Sequence, residues 1–272
     1  DAGYQAVIVN KPFDFPILWR ARSQGLTATT LFRSGGTDFF PGDKLFAGAI
    51  LKWVSASAYN ARQVEARYGR SVTTIHNGVD TEVFHPRPRD AQLRKQFGAG
   101  DEDLLVVSVG RLVGWKGIHV IIEAMKGLPG NVRYLVVGAG PERQALTGLA
   151  RAAGLEGRVQ FAGAASHGSL PALLSSCDLM VQPSIGEEAF GISVVEAMAC
   201  GLPVLASENG GLPEIVMDNE TGRLLPPSNV AAWRDALSMA SRNRELLNSW
   251  GRNSRLRATG HFTWAANAAR LD

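Results

Sequence analysis

The run Leu104-Leu105-Val106-Val107-Ser108-Val109-Gly110 constrains the fold more than any other stretch of the chain. It is apolar at positions that would face both sides of a sheet, the pattern of a strand buried in a parallel sheet with helices on each face. Similar short runs recur at 133–138, 159–163, 178–182 and 203–206, and a helical segment at 170–176 lies between two of them. The first third of the chain repeats the alternation. Strands are expected at 6–9, 27–32, 54–57 and 72–75, with helices at 17–24 and 59–68 ending at Gly25 and Gly69. Alternation of this kind implies an α/β chain with parallel sheets. Pro86-Arg87-Pro88-Arg89 cannot sit inside a helix or a central strand, so a linker is expected between the two sets of strands.

The most informative loop follows the strand at 178–182. Pro183-Ser184-Ile185-Gly186-Glu187-Glu188-Ala189-Phe190-Gly191-Ile192 leads into a helix that ends at Gly201, with Glu196 inside it. With a helix start near Phe190, the amides of Phe190, Gly191 and Ile192 lack carbonyl partners and form the positive end of the helix, where a phosphate would satisfy them. On a continuous helix Glu188 and Glu196 would lie roughly 12 Å apart along the axis. The plain alternative makes Glu188 a neighbour of the helix cap and Glu196 a solvated helical residue.

Five blocks in order resemble the retaining glycosyltransferases of family 4, which have the GT-B arrangement of two facing Rossmann-like domains. They are His76-Asn77-Gly78-Val79-Asp80; Gly110-Arg111-Leu112 to Lys116-Gly117; Val137-Gly138-Ala139-Gly140-Pro141-Glu142; Phe161-Ala162-Gly163; and the Glu188-to-Glu196 stretch continuing through Gly210-Gly211-Leu212-Pro213-Glu214. The resemblance implies a GT-B fold with its first domain incomplete. It divides the chain into a partial acceptor-side domain at 1–85, a linker at 86–100, a nucleotide-sugar domain at 101–258 and the start of a crossover helix at 259–272.

It also implies transfer of a hexose from a UDP- or GDP-sugar to a hydroxyl acceptor on a glycan or glycolipid, with no cofactor or metal. Arg111 and Lys116 sit beyond the carboxyl end of a strand, where ligands of open α/β sheets bind, and would hold the pyrophosphate. Glu188 would bind the transferred sugar and Glu196 the ribose. Gly138, Gly140, Ala164 and Ala165 would approach the nucleotide through their backbone, and Phe190, Gly191 and Ile192 would give amides to the phosphates. A dinucleotide fingerprint would need a glycine where Arg143 stands, so NAD is not expected. Glu214 is expected to start a helix.

Other signals are weaker. The 272 residues, 45% of them hydrophobic, suffice for one or two domains. The net charge of +3 suits an anionic ligand or an anionic membrane surface without choosing between them, and nucleic acid is not an expected partner. Cys177 and Cys200 are too few for a disulfide framework, and a reducing, cytoplasmic setting fits them. Asp101-Glu102-Asp103 mimics a metal-binding D-x-D, yet it precedes a strand, where charged turn residues are ordinary. His76, His85, His119, His167 and His261 show no metal-ligand spacing and are expected at surface or capping positions.

Residues 44–53 look amphipathic. Lys44, Lys52 and Trp53 there would suit peripheral contact with the inner membrane face or, more plainly, a core helix. Asn10-Lys11-Pro12 and Arg33-Ser34-Gly35-Gly36 stand where many family members carry histidines, which leaves the acceptor chemistry open. Asn-Lys at the first place is also seen in resembling enzymes of lipopolysaccharide-core assembly. Residues 1–10 read as a turn followed by a buried strand. Against the family this corresponds to entry partway through the first domain, with about a hundred residues expected upstream, so a missing targeting signal says little. Two rival functions remain at this stage: a sugar-nucleotide epimerase of GT-B shape, and a non-catalytic fragment that binds nucleotide sugar.

Overall fold

The computed structural model of the protein describes residues 3–36 and 38–268. The first part comprises β1 (Ala6–Val9), α1 (Phe15–Ser23), β2 (Thr29–Ser34), β3 (Lys52–Ser55), α2 (Ala58–Tyr68) and β4 (Thr73–Thr74). Its four strands pair in the order β1-β2-β3-β4, all parallel. After the connecting segment come α3 (Ala91–Gln96), β5 (Leu104–Val109), α4 (Ile118–Met125), β6 (Val132–Val137), α5 (Arg143–Ala152), β7 (Val159–Gly163), α6 (Leu170–Ser175) and β8 (Leu179–Gln182). The chain continues through α7 (Ile192–Ala199), β9 (Val204–Ser207), α8 (Leu212–Ile215), β10 (Gly222–Leu225), α9 (Val230–Arg242), α10 (Arg244–His261) and α11 (Trp264–Ala268).

The second sheet is six-stranded and parallel, ordered β10-β9-β8-β5-β6-β7. The apolar run at 104–109 is therefore a central strand between β6 and β8. One buried cluster covers each face: Leu105, Val107 and Met180 pack with α7, and Leu104, Val106 and Val181 pack with α4 and α9. Both halves are parallel sheets wrapped by helices, as the alternation required.

The first half departs from expectation at three points. Residues 44–53 do not form an amphipathic helix. A 3-10 turn at Asp43–Ala49 is followed directly by β3, so the third strand begins two residues before its expected start. Trp53 pairs across from Phe32 and is 6% exposed within a cluster of edge-to-face rings formed with Phe15 and Phe32. Burying that indole outweighs the polar positions that suggested a helix lying on a membrane. The second difference is β1, expected to be buried: it pairs on one side only, and Ile8 is 60% exposed. The third is β4, reduced to Thr73–Thr74.

The segment at 86–100 is more ordered than a linker. Asp90 accepts the amides of Gln92 and Leu93, both at 2.9 Å, and so starts α3. Arg94 is 0% exposed and fastens that helix to the second sheet. Its guanidinium donates to the carbonyls of Ser176 (2.9 Å), Gly100 (2.8 Å) and Asp103 (2.7 Å) and to the Asp178 carboxylate (3.0 Å). Asp103 itself accepts from the Gly100 amide at 2.8 Å and lies 3.4 Å from Arg133, so it serves the turn before β5.

At the other end, α10 runs to His261 and α11 starts at Trp264 against the first half, where the Val79 amide donates to the Phe262 carbonyl at 2.7 Å. The expected crossover helix extends to 272, and its last four positions, 269–272, lie outside the described residues. Cys177 and Cys200 are buried free thiols. Among the described residues no helix is long and apolar enough to cross a membrane.

Replacing Arg94 by alanine takes the guanidinium donor from the carbonyls of Ser176 and Gly100, while Asp178 and the Asp103 carbonyl keep Arg244. A loss of about 2–4 kcal/mol is expected from the two carbonyls left short of a donor. Arg94→Lys should rescue little, because one ammonium cannot reproduce the guanidinium's geometry. Denaturant unfolding of the two variants checks both points.

Candidate functional site

In a parallel sheet every strand ends on the same edge, and the loops of the second sheet converge there. Arg111 follows β5, Gly138 follows β6, Ala164 and Ala165 follow β7, and the 183–191 loop follows β8. Arg111, Gly138, Ala164 and Ala165 line one cavity of 340 Å³ at this edge. Gly138 has φ 147°, and a side chain there would strike the Gly110 carbonyl at 1.8 Å, so the two strand ends can meet only with glycine at 138.

Gly140 is not part of that cavity. Its missing side chain makes room for the backbone of Leu112, whose carbonyl a Cβ would meet at 2.3 Å. The sequence signal at Gly140 therefore marks packing between loops. The helix expected from Pro141 begins at Arg143.

A second cavity, of 550 Å³, lies between the two halves. Arg111, Trp115, Glu187 and Glu188 line it from one side and Asp38, Tyr59 and Gln63 from the other. Arg111 borders both cavities, is exposed, and has no ion-pair partner among the described residues.

Lys116 closes a short 3-10 turn at Gly114–Lys116 and pairs with Glu188 at 2.5 Å, its ammonium 4.7 Å from the centroid of the Trp115 ring. Gln182 and Ser184 also point donors at the same Glu188 oxygen, at 3.1 and 3.3 Å. Glu188 thus sits in the loop before the helix. The axial spacing of 12 Å expected for a continuous helix does not describe its relation to Glu196, because the chain turns at 189–191.

The helix itself starts later than expected. Phe190 is 2% exposed and belongs to the core, and Gly191, at φ 109°, is the residue before the first helical turn. Burial of the Phe190 ring and the left-handed Gly191 displace the helix start to Ile192. Among the described residues the amides of Phe190, Gly191 and Ile192 have no acceptor. Glu196 lies four residues beyond the start of α7. Burial pushes its carboxyl up to about 7, and no hydrogen-bond partner among the described residues offsets that.

Ser57, Tyr59 and Gln63, which pattern did not single out, and Glu214 and His76, which it placed differently, also meet between the halves. Gln63 donates to Glu187 at 2.7 Å across the cleft, and the neighbouring Tyr59 hydroxyl is raised to about 12 by burial and by the charge of Glu187. Glu214, expected merely to start its own helix, reaches across to the other half and accepts the amides of Ala58 and Tyr59, both at 2.8 Å, at the start of α2. It also lies 3.1 Å from His76, which stacks on Phe190 at 5.5 Å. His76 is therefore half-buried between the halves, where a surface or capping position was expected. Burial opposes ionisation of Glu214, but His76 and the two amides hold its carboxyl below the usual range. Ser57 adds a bond from its hydroxyl to the Ala189 carbonyl at 2.5 Å. In the loop after β9, Gly211 donates to the Glu188 carbonyl at 2.7 Å.

Two parallel Rossmann-like halves with a cleft at the carboxyl edge of the second define the GT-B type of glycosyltransferase. The chain belongs to the family described as glycosyl transferases group 1, whose profile matches residues 90–257. The D-inositol 3-phosphate glycosyltransferase of Mycobacterium tuberculosis is 39% identical to it over 186 residues, 65% of this chain and 38% of that protein. The chain thus spans well under half the length of the curated relatives it matches.

Among solved structures, Anabaena HepE, crystallised with UDP and glucose, superposes with a TM-score of 0.90 at 24% identity, over 98% of this chain and 77% of that one. Sucrose-phosphate synthase from Thermosynechococcus elongatus gives 0.84 at 27% identity, over 99% and 72%. The C-terminal domain of the group 1 protein LpcC from Francisella tularensis gives 0.62 at 27%, over 69% and 100%.

The raised Glu196 carboxyl fixes a sign for stability. Because its folded value lies above the ordinary 4.5, the native state loses stability as pH climbs from there through about 7. Glu196→Gln is expected to raise the melting temperature relative to the parent at pH 8 and to change it little at pH 4. Scanning calorimetry at the two pH values reads the difference.

Proposed function

We propose that the chain is part of a retaining glycosyltransferase of family 4 type that moves a hexose from a UDP- or GDP-sugar to a hydroxyl acceptor. The observation that carries this reading is the convergence on one sheet edge of an unpaired Arg111, the Lys116–Glu188 pair and the acceptor-free amides that open α7. The solved structures of HepE with UDP and with UDP-glucose support a nucleotide sugar as donor.

In this reading Arg111 and Lys116 take the pyrophosphate, with the amides of Phe190, Gly191 and Ile192. Gly138, Ala164 and Ala165 lie along the nucleotide, Glu196 accepts the ribose hydroxyls, and Glu188 accepts hydroxyls of the transferred sugar. Stabilising the diphosphate as its charge grows is the main catalytic contribution. No metal is assigned a role.

Glu188 is a poor candidate for a covalent nucleophile, because a lysine, a glutamine and a serine already share the same oxygen. Retention then runs by departure and attack on one face. The bond from the anomeric carbon to the β-phosphate oxygen breaks, the acceptor oxygen bonds to that carbon from the same side, and the acceptor's proton passes to the departing phosphate. The 550 Å³ cavity between the halves is the acceptor's place, and its polar lining suits a hydroxyl-rich glycan or glycolipid headgroup. Lys11, the residue that tied this chain to lipopolysaccharide-core enzymes, pairs with Asp38 on that wall. A cytoplasmic location on the inner membrane face belongs to the same proposal.

Calorimetric titration with a panel of UDP- and GDP-sugars, with NAD as control, is expected to give selective binding of one sugar nucleotide. Lys116→Ala and Glu196→Ala should each weaken it by about 1.5–3 kcal/mol, roughly tenfold or more. Unchanged affinity in both variants would remove these residues from the site. Since hydroxyl donors favour the ionised carboxylate, affinity should also rise between pH 6 and pH 8, and Glu196→Gln should flatten that rise.

A further inference from the structure

The amino edge of the second sheet, opposite the cleft, carries a cavity of 670 Å³. It is closed by the connecting segment at 86–89, the C-terminal ends of α6 and α7, and one side of α10. Arg87, Arg89, Arg244, Arg252 and Arg255 line it, against a single carboxylate, Asp178. That carboxylate is already crowded: Arg89 lies 3.2 Å from it, Arg244 2.9 Å, and Arg94 reaches it at 3.0 Å.

The helix ends facing the cavity are spoken for as well. Arg94 takes the carbonyl of Ser176 beyond α6, and Arg255 takes those of Ala199, at the end of α7, and Phe84. These contacts account for Arg94 and for one nitrogen of Arg255. Arg89 and Arg244 are held by Asp178, and Arg244 also donates to the carbonyls of Glu102 and Asp103. Arg87, Arg252 and the rest of Arg255 are left over. Arg87 uses one nitrogen on the Val83 carbonyl, and its buried Nε has no acceptor. Arg252 is exposed, with no hydrogen-bond or ion-pair partner among the described residues. No carboxylate among the described residues pairs with Arg87, Arg252 or Arg255. Arg89 shows the strain of this excess, since burial together with the charges of Arg94 and Arg244 holds its guanidinium below its ordinary value despite Asp178. Between the cations the wall is apolar, with Leu202, Leu247 and Leu256.

We propose that this rear cavity is a second ligand site, separate from the cleft, that takes an organic phosphate. The phosphate lies among Arg87, Arg252 and Arg255, and the organic part rests on Leu202, Leu247 and Leu256. Guanidinium forks match phosphate oxygens in pairs, and three of them suit a phosphate's oxygens better than the two of a carboxylate. The cavity is larger than an inorganic ion needs and in the range of small-molecule sites. The same chemistry is offered by a soluble phosphate ester and by a phospholipid headgroup.

Phenyl phosphate, an apolar ring on a phosphate, is the probe. Calorimetry on the full chain is expected to show saturable binding that survives Lys116→Ala, which disables the cleft. Arg252→Glu, a charge reversal at an exposed helical position, should weaken it about tenfold or more. Co-sedimentation with phosphatidylglycerol vesicles but not with phosphatidylcholine vesicles, lost in Arg252→Glu, would name the headgroup as the source. Phenyl phosphate binding without co-sedimentation would name a soluble ester. Absence of saturable binding, binding lost with Lys116→Ala, or binding indifferent to Arg252→Glu overturns the proposal.

Discussion

One carboxylate holds the two halves of this molecule in register. Glu214 leaves the second sheet's loop, accepts two amides at the start of α2 in the first half and lies against His76. A helix start normally takes its cap from its own chain neighbours, and Ser57 does supply one here, receiving the Asn60 amide at 3.0 Å. The additional cap from 155 residues away makes the entry to α2 a shared property of both halves. The position of Tyr59 and Gln63 on the cleft wall follows from it. Gly211 binds the Glu188 carbonyl three residues before Glu214, so the cleft's far wall and the loop carrying Glu188 are anchored by the same short segment.

The remaining order comes from the parallel sheet. All six strands of the second sheet end at one edge, and Gly138, Ala164 and Ala165 line a cavity there with Arg111. Arg111, Lys116 and Glu188 lie on that edge, with Glu187 facing Gln63. At the opposite edge arginines crowd round the ends of α6 and α7. The connecting segment between the halves contributes to the rear edge through Arg87, Arg89 and Arg94, which explains why it is fastened to the second sheet.

Much of this was legible in residue pattern. Short apolar runs separated by helical lengths could only be parallel strands with crossovers, and glycines at 25 and 69 stop helices where expected. The loop after β8 and the cations after β5 stood out because charge and glycine cluster beyond strand ends. What pattern could not show was partnership at long range. Trp53 looked like the apolar side of a helix until its strand neighbour Phe32 was known. Glu214 looked like an ordinary helix-start residue because its partners, Ala58 and Tyr59, act through backbone amides that carry no sequence signal. His76 needed a three-dimensional neighbour in Phe190 to become informative. Gly140 was read as a place where backbone is approached closely, and the backbone it meets is that of Leu112, a contact no pattern along the chain announces.

The pairing of Lys116 with Glu188 gives the cleft a property that a count of its cations conceals. The lysine already holds an internal anion at 2.5 Å. On the proposed reading, an incoming phosphate would substitute for that carboxylate, and binding and release would become an exchange between two anions of one cation, one tethered and one free. Glu188 would then keep only Gln182 and Ser184 on that oxygen and turn its other oxygen to the sugar. Occupancy of one subsite would thus prepare the other by a side-chain rotation.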